Sequence, residues 1–358
     1  MKIAVLGSGD CAHALAFEWS AAKHEVYMYD LPQNESFILD IASSGGIYST
    51  GIVEGFQPIK YAGNDLREVL HEANLIFVAS LAENVDIFGK ACSPYVEKDQ
   101  VYVVVPSSSM GALAFKNALG LDSNDNRVTV AEMHTAPYMS RQIGPAKITV
   151  FHKLNEGYKV AALPKEKNQF VYEMLSPVLT GIEKADSVLQ TTLQDCGPAT
   201  HPVIATLNAA LIERTCGDFF FYNEGVTPAV ASIMKAIDEE RIEIGKALGI
   251  QIENSIELGI RQGFFEDLEY VNAYSNSSQF DRIISPSTLD FRFYTNDIGY
   301  TMIFWIELAE KMGVPVPVMT AISTFASCIL QRDLRKESPR TFEKLGLKEY
   351  TQEELKSL

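Results

Sequence analysis

A short apolar run, Ile3-Ala4-Val5-Leu6, breaks into Gly7-Ser8-Gly9-Asp10-Cys11-Ala12 and passes at once into a helical pattern. Few sequence features limit a fold so closely, because the strand, the turn and the helix must follow one another with no spare residue. Gly7 permits the tight turn, Gly9 lets the main chain approach a pyrophosphate, and Ala12 allows the helix to pack closely on the strand. The helix N-terminus then offers free N–H groups and the positive end of its dipole to a phosphate. About twenty residues on, Asp30 ends a second apolar run, where a carboxylate accepts hydrogen bonds from an adenosine ribose. Together these residues predict a dinucleotide-binding unit that favours NAD. NADP is left open, since Leu31-Pro32-Gln33-Asn34 holds no Arg but loop geometry can bring one from elsewhere. Asp10 is the awkward member, an anion in a phosphate loop that is tolerated if it points away or pairs with His13.

The first half of the chain continues in the same rhythm. Strands are expected near 2 to 6, 25 to 30, 74 to 80 and 100 to 105, and helices near 12 to 22, 65 to 73, 82 to 97 and 109 to 119. The strands are continuously apolar, as parallel strands covered on both faces are. Further β-type runs at Val128 to Met133, Ile148 to Lys153 and Lys159 to Leu163 are expected to form the far edge of the same sheet. After about residue 185 the apolar spacing becomes helical. The reading is therefore an N-terminal Rossmann-type doubly wound sheet, residues 1–185, followed by an all-helical C-terminal domain, residues 186–358. One helix opens at Thr227-Pro228 and closes at Gly249, and another opens near Asn296-Asp297 and stops at Gly313. The charged tail from Arg332 reads as a solvated helix or extension. Met302 to Ile306 reads either as internal core or as a dimer face, so monomer and homodimer both stay open.

Composition removes other classes. Thirty Lys and Arg against 46 Asp and Glu give a net charge of −16, a field that repels nucleic acid and anionic membranes. The N-terminal apolar run is too short for a signal-peptide core or a membrane span. Five scattered cysteines with no C-x-x-C spacing fit a reducing cytoplasm better than a disulfide framework or a zinc ribbon. His134, His152 and His201 are far apart and form no H-x-x-x-H pair, so no metal site is expected.

A nicotinamide enzyme needs a proton donor or acceptor beside the hydride, and His suits that task near neutral pH. His201 stands out among six histidines because Thr200-His201-Pro202 reads as a helix start in the second domain. Asn208, seven residues on, returns to the same helical face, so the two can line one pocket. Catalysis and a capped or packed core His are equally compatible with this pattern.

Several segments together resemble the octopine/nopaline (opine) dehydrogenases over most of the chain. They are Pro106-Ser-Ser-Ser-Met-Gly111-Ala, Glu132-Met-His-Thr135-Ala-Pro137-Tyr138-Met-Ser-Arg141, Thr200-His201-Pro202 with Asn208, Phe221-Tyr222-Asn-Glu224-Gly225-Val-Thr227-Pro228, and Arg292-Phe-Tyr-Thr-Asn-Asp297. The resemblance implies reductive condensation: an amino acid and a 2-oxo acid, often pyruvate in this family, form an imine that NAD(P)H reduces to a secondary-amine dicarboxylate. It makes His201 the acid/base, Asp297 its charge partner, and Arg292 a bidentate holder of a substrate carboxylate. Asp297 also reads as a helix N-cap, and Arg292 as a surface ion pair. Glu132, at the end of a strand, is placed to hold the amino acid's ammonium or a basic side chain, or is a solvated loop carboxylate. Asn296 and Gly299 depart from the Glu and Pro that family members commonly carry, which puts the pocket shape near Arg292 in question.

Two other readings keep the nucleotide. A ketopantoate-reductase-like or 2-hydroxy-acid dehydrogenase reduces a carbonyl without an amine, although the helix from His201 to Arg214 lacks the Lys that the former would place there. A non-catalytic NAD-binding sensor binds nucleotide without turnover.

Overall fold

Continuous apolar runs with no period-two alternation form the middle of the main sheet, as burial on both faces demands. In the computed structural model, which describes residues Met1–Leu358, the strands are β1 (Lys2–Leu6), β2 (Glu25–Tyr29), β3 (Gly46–Gly51), β4 (Gly55–Pro58), β5 (Tyr61–Gly63), β6 (Leu75–Ala79), β7 (Val101–Val105), β8 (Thr129–Met133), β9 (Tyr138–Gly144), β10 (Lys147–Lys153), β11 (Tyr158–Leu163) and β12 (Ile182–Lys184). Eight of them form one sheet in the order β12-β11-β8-β7-β6-β1-β2-β5. Every pair is parallel except β8 with β11. Every residue of β6, β7 and β8 is buried. Each aliphatic side chain taken from water in these strands contributes roughly 1.5–3 kcal/mol.

Six helices accompany these strands, α1 (Asp10–Ala21), α2 (Glu35–Ser44), α3 (Leu66–Leu70), α4 (Ala82–Cys92), α5 (Gly111–Ala118) and α6 (Asn168–Leu175), and α7 (Val188–Gln194) follows. Contacts divide the chain into Met1–Thr191 and Thr192–Leu358. The Rossmann-type order expected from the sequence is present, with one correction. β10, expected at the edge of the main sheet, pairs instead with β3 and β9 in a separate four-stranded sheet, β4-β3-β10-β9. Its own residues give the reason: Ile148 and Val150 are buried while Lys147 and Phe151 are exposed, the half-wet alternation of a sheet covered on one face only.

The second unit is helical: α8 (Gly197–Leu207), α9 (Ala209–Thr215), α10 (Pro228–Leu248), α11 (Ser255–Arg261), α12 (Tyr270–Asn276), α13 (Arg292–Thr295), α14 (Ile303–Met312), α15 (Pro317–Leu330), α16 (Leu334–Glu337) and α17 (Gln352–Ser357). α10 has the expected ends, the Thr227 hydroxyl accepting from the Val230 amide and Gly249 closing in the left-handed conformation. The helix expected to open at Asn296-Asp297 opens earlier. α13 starts at Arg292 and runs through a π-helical segment, Asp297–Met302, into α14. Asp297 therefore sits inside a helical run and is no N-cap. Met302 to Ile306 are at most 3% exposed and belong to the internal core. The tail is not solvated as expected, because Arg340, Leu347 and Leu355 pack inside the unit at 1% exposure or less. Its charges alternate with the apolar residues that anchor it. No helix is long and apolar enough to cross a membrane.

Trp305 is fully buried and its indole N–H donates to the Thr192 carbonyl at 3.2 Å. Trp305→Ala removes both the packing and the donor, and is expected to cost about 3–5 kcal/mol in denaturant unfolding.

Candidate active site

The glycine turn is built by contact as much as by conformation. Gly7 has φ +117°, and a Cβ there would stand 2.3 Å from the Ala79 carbonyl oxygen, so no side chain fits. Gly9 is the opposite case, with no atom within 4 Å of where its Cβ would be. No side chain caps α1, so its first-turn N–H groups face that open space. A turn clear of side-chain atoms before uncapped amides fits a pyrophosphate. Asp30, 3% exposed, accepts from Ser8 Oγ at 2.5 Å and, through its other oxygen, from the Leu31 amide at 2.6 Å and Asn34 Nδ2 at 3.2 Å. These bonds fix the carboxylate and leave lone pairs for ribose hydroxyls.

Asp10 does not pair with His13, whose Nδ1 meets the Gly9 carbonyl instead at 3.1 Å. The Asp10 carboxylate turns to β9, where the Gln142 amide donates to it at 2.8 Å and Arg141 lies 3.6 Å away. Gln142 Nε2 also donates to the Ser8 carbonyl at 2.6 Å. The separate sheet thus accepts the carboxylate of the phosphate loop and pins the loop itself.

Glu132 ends β8 fully buried. Its Oε2 accepts from the Ala112 amide in the first turn of α5 at 2.8 Å, and its Oε1 from the Thr191 hydroxyl at 2.6 Å. It is not a solvated carboxylate, and its oxygens are turned toward the protein. The loop before α5 is strained: Ser108, Ser109 and Met110 are successive left-handed residues, with φ 44°, 68° and 52°. The Ser107 and Ser109 hydroxyls in that loop are buried without a partner.

In the helical unit His201 Nδ1 lies 2.8 Å from Asp297 Oδ2, the side chains 24% and 21% exposed. The expected helix start is wrong by a turn. α8 opens at Gly197-Pro198, and Pro202 sits inside it. Two prolines four apart give the same start signal, and the first is the true one. His201 therefore stands in the second turn, where the dipole of the first-turn amides is no longer its main neighbour. Its ring stacks on Phe293 at 4.6 Å and 20°, with Tyr222 at 6.4 Å. A carboxylate on one nitrogen and an aromatic face fix the ring and leave Nε2 as the nitrogen for chemistry.

Arg292 opens α13 exposed, its guanidinium 5.6 Å from the Phe293 ring centre, and makes no ion pair. Tyr222 lies within the electrostatic reach of both Arg292 and Asp297, and burial pushes its phenol well up, so it stays neutral. Asn208 leaves the face expected of it. It is the C-cap of α8, and its Nδ2 donates to the Ile204 and Gly225 carbonyls at 2.9 and 3.0 Å. The structure thus brings His201, Asp297, Arg292 and Tyr222 together and uses the Asn208 amide for a turn. Sequence reasoning missed Asp195, whose Oδ1 accepts from the Gly197 amide at 3.0 Å just before α8.

A glycine-turn nucleotide cradle lies in one unit and a His–Asp pair in a helical second unit, and the first defines the class: a dinucleotide-binding protein. Residues 184–330 match the model of the NAD/NADP octopine/nopaline dehydrogenase alpha-helical domain. The chain is 27% identical over 352 residues to the opine dehydrogenase of Arthrobacter sp. strain 1C, covering 96% of this chain and 94% of that protein. It is 26% identical over 346 residues to a vitopine synthase of Allorhizobium ampelinum strain S4, covering 93% and 92%. An octopine dehydrogenase structure in complex with NADH and agmatine superposes with a TM-score of 0.82 at 16% identity, covering 100% of this chain and 98% of that one. The chain thus carries the octopine/nopaline dehydrogenase helical domain over residues 184–330 and is similar to opine dehydrogenases over nearly its whole length.

Gly7→Ala is expected to destabilise the protein by more than about 2 kcal/mol and to abolish NADH binding. Gly9→Ala keeps the wild-type melting temperature, since its methyl meets no protein atom, and loses affinity about ten-fold or more. Thermal unfolding and NADH fluorescence titration separate the two.

Proposed function

We infer that this chain is an NAD(P)-dependent oxidoreductase acting on CH–NH groups, an opine dehydrogenase. It condenses an amino acid with a 2-oxo acid through an imine to an N-(carboxyalkyl)amino acid, and oxidises that product in reverse. The observation that carries this reading is the His201–Asp297 bond beside an unpaired Arg292, in a chain whose relatives are opine dehydrogenases. The Gly7–Ala12 turn and Asp30 are the residues that would hold the nucleotide, by cradle, uncapped amides and ribose acceptor. When bound, the reduced nicotinamide supplies the hydride that the imine carbon accepts.

The side chains divide the remaining work. Arg292, with no carboxylate of its own, holds a substrate carboxylate through two parallel N–H donors. His201 donates a proton from Nε2 to the oxo-acid carbonyl oxygen as the amine nitrogen bonds to the carbon. His201 then takes a proton back from the amine nitrogen and returns it to the hydroxyl, and loss of that oxygen as water, with both hydrogens drawn ultimately from the amine, leaves the imine. Asp297 accepts from Nδ1–H, keeps Nε2 as the working nitrogen, and stabilises the imidazolium whenever the ring is charged. The Phe293 face and the buried Tyr222 border the ring on the apolar side, which strengthens these charge interactions by excluding water. Glu132 orders α5 and the strained serine loop before it. Asn208 acts through the end of α8.

Oxidation of NADH and of NADPH, followed by nicotinamide absorbance, tests the reading with pyruvate alone and then with pools of basic, apolar and acidic amino acids. Turnover is expected only when an amine is present. Turnover with the oxo acid alone would make this a hydroxy-acid dehydrogenase, and nucleotide binding with no turnover would favour a sensor. His201→Gln is expected to lower kcat by about 10²–10⁴ while NADH binding is unchanged. Arg292→Lys keeps the charge and loses the fork, so the KM for the oxo acid rises by about ten-fold or more with a smaller change in kcat.

A further inference from the structure

Asp195 lies in the turn that leads into α8, and its Oδ1 accepts from the Gly197 amide at 3.0 Å. Gly197 has no side chain, and a Cβ there would meet Asp195 Oδ1 at 3.2 Å and His201 Nδ1 at 3.4 Å. The carboxylate and the imidazole therefore border one small space, on the side of the ring that Asp297 also holds. His201 has two acidic neighbours, one from the turn before its own helix and one from the π-helical segment.

We propose that Asp195 is a positioning residue of the His201–Asp297 pair, a second carboxylate on the Nδ1 side whose charge sets how tightly the imidazole holds its proton. The inference rests on the acid/base reading of His201 given above. The groups acting on Asp195 come from each neighbouring element. Burial opposes its charge most, and Asp297 on the π-helical segment opposes it further. The Gly197 amide, His201 on α8 and Arg241 on α10 favour the charge, and the balance pushes the carboxyl up to about 6. Arg241 is already committed to Asp238 and to the Leu193 and Glu253 carbonyls, so it acts from a distance. The adjacent Cys196 thiol is pushed up to about 11 by burial and stays neutral. Asp195, Asp297 and His201 lie within electrostatic reach of one another, so the charge on one acts on the others. The coupling is reciprocal: a charged His201 favours ionised Asp195, so ionised Asp195 favours charged His201.

Asp195→Asn tests this cleanly, because the amide oxygen still accepts from Gly197 while the charge is gone. The His201 imidazole resonance is expected to titrate at lower pH in the variant, by roughly half a unit to one unit. The pH profile of kcat in the condensing direction should move down by a similar amount. Thermal stability gives a third readout. A carboxyl whose folded-state value is raised costs stability as pH climbs through that value, so the variant should match wild type below about pH 4 and melt higher above about pH 7. A His201 titration that superimposes on wild type overturns the proposal. So does a uniform loss of activity with an unmoved profile, which is what a purely structural role produces. The resonance titration requires no turnover, so an enzyme inert toward amines with a shifted His201 would retire the functional reading alone, and amine-dependent turnover without the shift would retire only this proposal.

Discussion

The hydrogen bond between His201 Nδ1 and Asp297 Oδ2 joins residues 96 positions apart, and the helical unit is arranged so that it can form. α8 brings the imidazole, the run from α13 to α14 brings the carboxylate, and Phe293 closes the ring's face between them. A carboxylate this close to other acids and partly out of water is costly to hold unless it has a hydrogen-bonding cation or donor in reach. The imidazole fills that need, and each group makes the other's position affordable.

Several other charges taken partly or wholly out of water are held by hydrogen bonds in the same way, often with the main chain as partner. Lys116, fully buried and with its ammonium pushed down to about 8 by desolvation, donates to the Ser123, Asp125 and Leu163 carbonyls. Arg241 spans Asp238 and two carbonyls, while Asp238 in turn accepts from Ser255 and Tyr270. Asp10 and Asp30 in the nucleotide unit are held by amides of Gln142 and Leu31. These networks tie loops to helices and decide which acids remain free to act on a ligand.

Much of this was legible in the sequence where a local rule has only one solution. The Gly7–Ala12 turn, the ends of α10 at Thr227-Pro228 and Gly249, and the central strands follow from backbone conformation, capping and two-sided burial. The misreadings come from rules with more than one solution. Period two makes β10 a strand but does not choose its partner, and two prolines in Gly197-Pro198-Ala-Thr-His-Pro202 offer two helix starts. Asp195 carries no local signal, because a lone Asp before Cys-Gly-Pro acquires meaning only when His201 comes round one helical turn later. The tail from Arg332 looked wet because its charges are many, and the buried Leu347 and Leu355 that anchor it are few.

The π-helical segment Asp297–Met302 has an implication for which changes of length the chain can absorb. Such a turn accommodates an extra residue in an otherwise α-helical run, and one residue of an α-helix corresponds to about 100° of rotation. Downstream, Phe304 and Trp305 are anchored in the core. Excising a single residue from the segment would leave them seated and swing Arg292 and Phe293 about the axis by more than a quarter turn, while no element would be lost. Apart from Asp297, whose carboxylate the imidazole requires, the number of residues in the segment constrains the site as firmly as their identities do.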